Sequence, residues 1–204
     1  TVGVDMGEDW LIAADFSDGD QYLYSGRMIK STRRYWQKVR AAVKPPTQDN
    51  PHMSKRYREI SRNESRQVDH VLHTITRTFV NLAREGVDTI VLGDLNGIRD
   101  HINYGKRMNQ RLHAWPYAKL RSMIEYKAAF LGIKVKTVSE KYTSQTCPQC
   151  SVRKKSNRKH RGWYSCQCGF EGHADLVGAT HIHRQVSGVP SSGCPAHPVV
   201  LVFN

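Results

Sequence analysis

The chain has 204 residues, 39% of them hydrophobic, which fits one globular domain with its own core and a small appended module. Lys and Arg number 31 against 18 Asp and Glu, giving a formal net charge of +13. A balance this basic favours a polyanionic partner. Because no apolar run approaches the ~18 residues of a membrane span and no signal pattern opens the chain, we expect nucleic acid, no membrane and a cytoplasmic location.

The first third of the chain is predicted to start with strands and continue with basic helices. "TVGVDMG", "DWLIAADF" and "QYLYSGRMI" read as a three-stranded antiparallel meander over residues 1–30, with "SDGD" as a hairpin turn. Thr1 falls inside the first strand-like run, so we expect a trimmed piece of a longer chain. Residues 31–66 predict two helices around the loop "KPPTQDNP", and "KSTRRYWQKVR" is a candidate wall of a nucleic-acid channel.

The remainder alternates helices and strands. An apolar stripe at spacings of three and four predicts a helix that Gly86 ends, with the members Val68, Leu72, Ile75, Phe79 and Leu82. "DTIVLGDLNG" reads as a buried strand, residues 100–114 as a loop, 117–130 as a helix, and "IKVKTV" as a strand that leads to Glu140. "ADLVGATHIHR" predicts a last helix. This order predicts an α/β fold whose mixed sheet is covered by helices on both faces.

Four cysteines have the spacing of a metal site. Cys147 and Cys150 form "CPQC", Cys166 and Cys168 form "CQCG", and fifteen residues separate the two pairs. Two such pairs can converge four thiolates on one tetrahedral Zn²⁺, which soft sulfur ligands select over hard cations. The second pair has one intervening residue where two are usual. Cys194 is interpreted as a bystander.

The segment between the cysteine pairs is basic and carries no acid. It holds Arg153, Lys154, Lys155, Arg158, Lys159 and Arg161, followed by Trp163 and Tyr164. Lys and Arg side chains bind phosphates, and aromatic rings stack on unpaired bases. The segment is therefore a predicted nucleic-acid contact. For Trp163 and Tyr164, packing on the cysteine knuckle is an equally good interpretation.

Four acids stand at the ends of predicted buried elements. Asp5 ends the first strand, Asp94 follows a central strand, Glu140 ends a later strand, and Asp175 opens the last helix. Each alone is more often a turn residue or a helix cap. Together, in a very basic chain, they suggest a nuclease centre, since several carboxylates are needed to hold two divalent cations ~3.5–4 Å apart.

Several stretches carry a resemblance to a known family. "GVDMG", "IVLGDLNGIR", "YKAAFLGIKVKTVSEKYTSQTCPQC", "YSCQCGFEGHADLVGATHI" and the helix "RNESRQVDHVLHTITRTFV" are similar to TnpB, the RuvC-like, RNA-guided nucleases of insertion sequences that are related to type V CRISPR effectors. The resemblance covers about residues 1–184, and "YTSQTCPQC" is its most specific part.

The resemblance implies an RNase H-like (RuvC-like) fold with an inserted zinc ribbon. The expected division is 1–140 for the first part of the nuclease domain, 141–172 for the ribbon, 173–186 for the last nuclease helix and 187–204 for a flexible tail. Asp5 matches the family's first catalytic aspartate and Asp175 its last. The implied partners are DNA and a guide RNA, and the implied cofactors are structural Zn²⁺ and catalytic Mg²⁺ or Mn²⁺. Oligomeric state stays open.

The chain departs from the family in the middle motif. The family usually has Glu-Asp-Leu after the central strand, whereas this chain has Gly93, Asp94 and Leu95. In one interpretation Glu140 substitutes, and Asp5, Glu140 and Asp175 form a live metal-dependent endonuclease centre. In the other the chain is a nuclease-dead, guide-dependent DNA-binding protein of repressor type. Since both terminal aspartates are present we favour activity, with Asp94 outside the ligand set.

Four further residues have two interpretations each. Lys127 and His73 match family positions. For Lys127 a surface lysine is an equally good interpretation, whereas for His73 we favour a histidine packed beside the apolar stripe. His173 and His181 are near Asp175 in sequence, and we interpret both as satisfied surface histidines.

Overall fold

The computed structural model describes residues 1–43, 54–94, 115–160, 162–188 and 198–203. Its main sheet has six strands: β1 (Val2–Asp5), β2 (Trp10–Phe16), β3 (Gln21–Ser25), β4 (Thr89–Asp94), β5 (Lys134–Ser139) and β9 (Val199–Leu201). Across the sheet they follow the order β5-β4-β1-β2-β3-β9. A second sheet of three short strands, β6 (Arg158–His160), β7 (Trp163–Ser165) and β8 (Glu171–His173), follows the order β6-β7-β8.

The main sheet is mixed, as the sequence predicts. β1, β2 and β3 form the antiparallel meander, and their register sets Asp5 opposite Ala13. β4 then runs parallel to β1, and β5 runs parallel to β4. Because parallel strands carry their carboxyl ends to the same edge, the ends of β1, β4 and β5 lie together.

Three helices cover one face of this sheet. They are α1 (Arg27–Ala41), α2 (Lys55–Ala83) and α3 (Tyr117–Phe130). The apolar stripe of α2 is buried as predicted, and it joins Val4, Ile12 and Leu92 of the sheet in one core. This face holds most of the buried apolar surface, which dominates the stability of a domain of this size.

The other face is covered by α4 (Ala174–Ser187) and is built from small and polar residues. A Cβ atom on Gly3 would overlap the Ala179 carbonyl and the His183 backbone of α4. Beside this contact, Asp15 accepts a 2.9 Å hydrogen bond from His183 and a 2.5 Å bond from Gln21, all of them buried. α4 therefore packs close to β1 and is fixed there by buried polar bonds.

The cysteine-rich ribbon is joined to α4 by a small core of its own. Tyr164 and Phe170 of the ribbon pack with Ala174 and Val177 of the helix. Arg184 of α4 also donates a 2.6 Å hydrogen bond to the Pro148 carbonyl, next to the first cysteine. The ribbon is thus held directly on the helix that carries Asp175.

The end of the chain differs from the sequence prediction. Residues 187–204 are predicted to be a flexible tail, but Val199–Leu201 forms β9, parallel to β3. Phe203 stacks on Tyr24 at a ring distance of 6.2 Å, which anchors the strand to the core. The predicted loop over 100–114 and Cys194 lie outside the described residues.

Within the described ranges, the structure contains no helix that combines the length and the apolar character of a membrane span.

The close approach of α4 to β1 makes a stability prediction. Gly3→Ala forces its methyl group against α4, and overpacking of this kind costs about 1–3 kcal/mol. Urea unfolding is expected to show that loss. Gly162→Ala is the matched control, because the nearest atom to its new Cβ is 3.9 Å away. Equal unfolding midpoints for the two variants would contradict the proposed close contact.

Candidate active site

Asp5 lies at the carboxyl end of β1, under α4. A Cβ atom on Gly178 of α4 would overlap the Asp5 carboxylate, so glycine at that position leaves the room that the acid occupies. Burial, and then the charge of Asp175, raise the pKa of Asp5 from 3.8 to about 7, while Arg158 and the Met6 backbone N–H act in the opposite direction.

Glu140 follows β5, and its side chain reaches across to β4. A Cβ atom on Gly93 would overlap Oε1 and Cγ of Glu140. The carboxylate therefore fills the space that a side chain at position 93 would need. The register explains the reach, since Gly93 pairs with Val138, two residues before Glu140.

The carboxyl of Glu140 is held in an environment that disfavours its charge. Burial, and then the charges of Asp5 and Asp94, raise its pKa from 4.5 to about 9. Oε1 is buried and has no hydrogen-bond partner among the described residues. A buried carboxylate without a partner is costly unless a cation or a proton neutralises it.

Asp175 is the second residue of α4 and faces the same centre. Its charge raises the pKa of Asp5, which indicates that the two carboxyls are near neighbours. Its Oδ1 lies 3.4 Å from Nη2 of Arg158 on β6, and its side chain is 19% exposed. The ribbon thus places the positively charged Arg158 side chain at the edge of the acidic centre.

The three predicted acids converge without forming a single tight cluster. Among the described residues, only the four cysteines form a group of at least three potential ligands whose atoms all lie within 4.8 Å of one another. A wider spread suits two cations ~3.5–4 Å apart better than one. Asp94 is close enough to raise the Glu140 pKa, but strand alternation turns it to the opposite face from Gly93.

The four cysteines meet as the spacing predicts. Sγ of Cys147 lies 3.6 Å from Sγ of Cys168, and the same distance separates Cys150 and Cys166. Tetrahedral ligands at ~2.3 Å from a zinc ion stand about 3.8 Å apart, so the four sulfurs fit one such ion. Burial raises the pKa of Cys147 to about 12, which disfavours a thiolate unless a cation is bound.

The basic residues of the ribbon have different surroundings. The Arg153 guanidinium stacks on the Tyr142 ring at 3.2 Å, Lys154 donates to Gln167, and Arg158 pairs with Asp175. Lys155 and Lys159 are exposed, whereas Arg161 lies outside the described residues. Trp163 is 37% exposed and Tyr164 is fully buried, so the two aromatics have opposite environments.

The structure also describes the surroundings of His73, Lys127, His173 and His181. His181 donates a 2.8 Å hydrogen bond to the Thr146 carbonyl, and Lys127 donates to the His73 carbonyl at 2.8 Å. His173 is half-buried, and its ring lies 5.4 Å from that of Trp10 in an edge-on contact. Burial lowers the pKa of His173, so it differs from the surface histidine that the sequence suggests.

Sequence reasoning missed two supporting residues. Gly178 makes room for Asp5, and Gln185 donates a 3.0 Å hydrogen bond to the Ser139 carbonyl, next to Glu140. Gly178 is in principle visible as a glycine inside a predicted helix, where such a residue usually marks a close contact. Gln185 has no such signal.

The fold and the clustered cysteines define a class of protein: an α/β domain of RuvC-like fold with a four-cysteine ribbon. The structure is similar to that of a Cas12f1–sgRNA–target DNA complex, with a TM-score of 0.70 and 18% identity over 92% of this chain and 50% of that chain. A CRISPR–Cas12f ternary complex gives a TM-score of 0.64, with 20% identity over 89% of this chain and 38% of that chain.

Sequence comparison identifies the family. Residues 1–99 match the OrfB_IS605 model, described as "Probable transposase", and residues 117–182 match the model "Cas12f1-like, TNB domain". The TnpB-like protein ORF457 of Acidianus two-tailed virus is 31% identical over 91% of this chain, and Cas12f1 of Sulfoacidibacillus thermotolerans is 38% identical over 54%. The chain belongs to the TnpB family. It spans 42% and 25% of the length of these two relatives.

The raised pKa values predict how stability depends on pH. An acid with a raised pKa binds protons more readily when folded, so the free energy of unfolding falls as pH rises through the window from about 4.5 to about 9. Without Mg²⁺ or Mn²⁺, Glu140→Gln is therefore expected to melt above the unsubstituted protein at pH 8, by ~2–4 °C per kcal/mol of relieved charge burial. Near pH 4.5 the two melting temperatures converge.

The control for this measurement is Glu85→Gln, a substitution of an exposed acid. Added Mn²⁺ is expected to stabilise the unsubstituted protein and not Glu140→Gln, because a ligand that binds the folded state raises its stability. A Glu140→Gln melting curve that follows the unsubstituted protein at every pH would show that Glu140 carries no buried charge.

Proposed function

We propose that this chain is the catalytic part of a divalent-metal-dependent DNA endonuclease, RNA-guided when complete, with Asp5, Glu140 and Asp175 as the catalytic acids. The observation that carries the proposal is the overlap between the Glu140 carboxylate and the side-chain space of position 93. The glutamate that the family usually has at position 93 is replaced by one that reaches the same space from the next strand.

The electrostatics support a cation at this point. Oε1 of Glu140 is buried with no partner among the described residues, and burial, followed by the charges of neighbouring carboxyls, raises the pKa of both Glu140 and Asp5. Burial of like charges at this density is unfavourable in the absence of positive charge. Oxygen-only ligands suit Mg²⁺ or Mn²⁺, which prefer carboxylates and water.

The proposed reaction is hydrolysis of a phosphodiester bond. Two bound divalent cations would supply a water of lowered pKa and stabilise the leaving oxygen. The protein's own contribution is to hold three carboxylates at fixed positions: Asp5 under Gly178, Glu140 over Gly93, and Asp175 at the start of α4. Arg158, paired with Asp175, is positioned to exchange that partner for a substrate phosphate.

The proposed partners are DNA and a guide RNA. The net charge of +13 and the exposed Lys155 and Lys159 of the ribbon support binding to phosphate backbones. The solved relatives with this fold include a complex of Cas12f1 with sgRNA and target DNA. We further propose that the four cysteines hold one structural Zn²⁺, because the sulfur spacing suits a tetrahedral ion.

A relocation experiment tests the catalytic assignment. Glu140→Ala is expected to lower Mg²⁺- or Mn²⁺-dependent cleavage of single-stranded DNA by at least ~100-fold, since it removes one of the three carboxylates proposed to hold the cations that stabilise the transition-state charge. Gly93→Glu alone overlaps Glu140 and is expected to be impaired as well. The double variant Gly93→Glu with Glu140→Gly returns the acid to the family position and is expected to recover part of the activity.

Cleavage is measured with this chain and with a version that carries any preceding region and its guide. Retained cleavage by Glu140→Ala would rule out Glu140 as a catalytic acid. If no form cleaves while nucleic acid still binds, the protein is a guide-dependent DNA-binding protein without nuclease activity. Asp94→Asn is the matched control, since Asp94 borders the centre but faces away from it.

The metal content of the ribbon is tested separately. The purified protein is expected to contain one equivalent of zinc by elemental analysis, and Cys150→Ser is expected to lose most of it and melt at a lower temperature. Cys194→Ser is the matched control and is expected to keep the zinc. Full zinc content in the Cys150→Ser protein would contradict the four-cysteine site.

A further inference from the structure

We propose that the stacking contact between Tyr142 and Arg153 positions Glu140 for cation binding. Tyr142 follows Glu140 by two residues, and Arg153 belongs to the cysteine ribbon. Both would act through Glu140 and not by touching the cations, so they are positioning residues. The contact links the fold of the ribbon to the affinity of the acids for Mg²⁺ or Mn²⁺. This inference rests on the proposed function, because it needs Glu140 to be a ligand of those cations.

The turn that follows Glu140 has a strained backbone. Tyr142 has a φ of 69° and a ψ of 1°, and among the described residues other than glycine only Ser151 shares a positive φ with it. In this left-handed region the Cβ atom lies too close to the following carbonyl oxygen, so a bulky residue adopts it only where its surroundings enforce it. Contacts with other parts of the chain must therefore hold Tyr142 in this conformation.

Stacking on the ribbon provides such a contact, whereas burial in a core does not. Tyr142 is 42% exposed. The Arg153 guanidinium lies 3.2 Å from the centroid of its ring. A planar guanidinium is attracted to an aromatic face by its charge as well as by dispersion. The Tyr142 side chain is thus held from the ribbon, while its carbonyl accepts 3.1 Å hydrogen bonds from the Gln145 N–H and the Thr146 hydroxyl.

Arg153 is itself fixed by the first pair of cysteines. Its backbone pairs with Thr146 in an antiparallel bridge. The Cys147 N–H donates a 3.0 Å hydrogen bond to the Val152 carbonyl, which closes the knuckle just before Arg153. Arg153 therefore leaves the knuckle at a defined position beside the turn that follows β5. Order in the cysteine knuckle is in this way passed on to that turn.

The same turn fixes the backbone of Glu140. The N–H and the hydroxyl of Thr143 both donate to the Glu140 carbonyl, at 3.2 and 2.9 Å, and Thr143 is buried. Because Tyr142 lies between these two residues, a change of its backbone to an ordinary conformation would break both bonds. The Glu140 carboxylate would then leave the space above Gly93, and with it the acidic centre.

The test measures Mn²⁺ binding in the absence of nucleic acid, by the electron paramagnetic resonance signal of the unbound ion. Arg153→Ala is expected to weaken Mn²⁺ binding about 10-fold, the lower end of the range for residues that orient metal ligands. Electrostatics alone predicts the opposite sign, because removal of a positive charge strengthens the binding of a cation. Tyr142→Ala is expected to cause a similar loss, and the double variant no larger one, since both substitutions remove the same contact.

Two further variants serve as controls. Tyr142→Phe keeps the ring and is expected to keep the Mn²⁺ affinity of the unsubstituted protein. Lys154→Ala is the matched control for charge, because it removes a cation from the next residue, whose side chain bonds to Gln167 instead. It is expected not to weaken Mn²⁺ binding. Melting temperature and zinc content, both measured without Mn²⁺, establish that each variant is folded.

Unchanged Mn²⁺ affinity in Arg153→Ala, an equal loss in Lys154→Ala, additive losses in the double variant, or a loss in Tyr142→Phe as large as in Tyr142→Ala would overturn the proposal. Glu140→Ala separates it from the proposed function. A loss in Glu140→Ala with none in Arg153→Ala overturns the positioning role alone. If Glu140→Ala binds Mn²⁺ as tightly as the unsubstituted protein, or if that protein binds none, both fall. The expected losses in a protein that never cleaves would overturn the nuclease assignment alone.

Discussion

The close packing of α4 on β1 is the contact on which the rest of the site depends. Two glycines make it possible: Gly3 of the strand lies beneath Ala179 and His183, and Gly178 of the helix lies over the Asp5 carboxylate. Side chains at either position would push the elements apart. Since Asp5 belongs to the strand and Asp175 to the helix, the same contact sets the distance between the first and last acids.

The same helix also determines where the ribbon is held. Ala174 and Val177 pack in the ribbon core, and Arg184 bonds to the backbone beside Cys147. Gln185 bonds to Ser139, next to Glu140. One helix therefore contacts all three acids or their neighbours and the cysteine knuckle. A structural metal in the ribbon would therefore also fix the position of Arg158 against Asp175, and so would couple the ribbon mechanically to the acidic centre.

Much of this arrangement could be predicted from the sequence, because local patterns encode it. Alternation marked the meander, the spacing of apolar residues marked α2, and the helix over 117–130 appeared at its predicted bounds. Paired cysteines marked the ribbon. Strand β9 was not predicted from "PVVLVF", because its position depends on a contact that is distant in sequence. Phe203 stacks on Tyr24, which is 179 residues away in the chain.

The relation between Gly93 and Glu140 could be predicted from the sequence only in part. The sequence shows a missing acid and a spare one, but it does not show whether they share a space. That depends on β4 and β5 being parallel neighbours in a register that pairs Gly93 with Val138.

In this register, Glu140 projects over a residue without a side chain, and a larger residue at 93 would exclude it. Glycine at position 93 is therefore the condition for Glu140 to enter the centre. If the centre had simply lost its acid at position 93, we would expect an ordinary side chain at position 93 and an acid at position 140 that faces solvent. The fit of the Glu140 carboxylate into the space above Gly93 favours a relocated catalytic acid over a centre that has lost one.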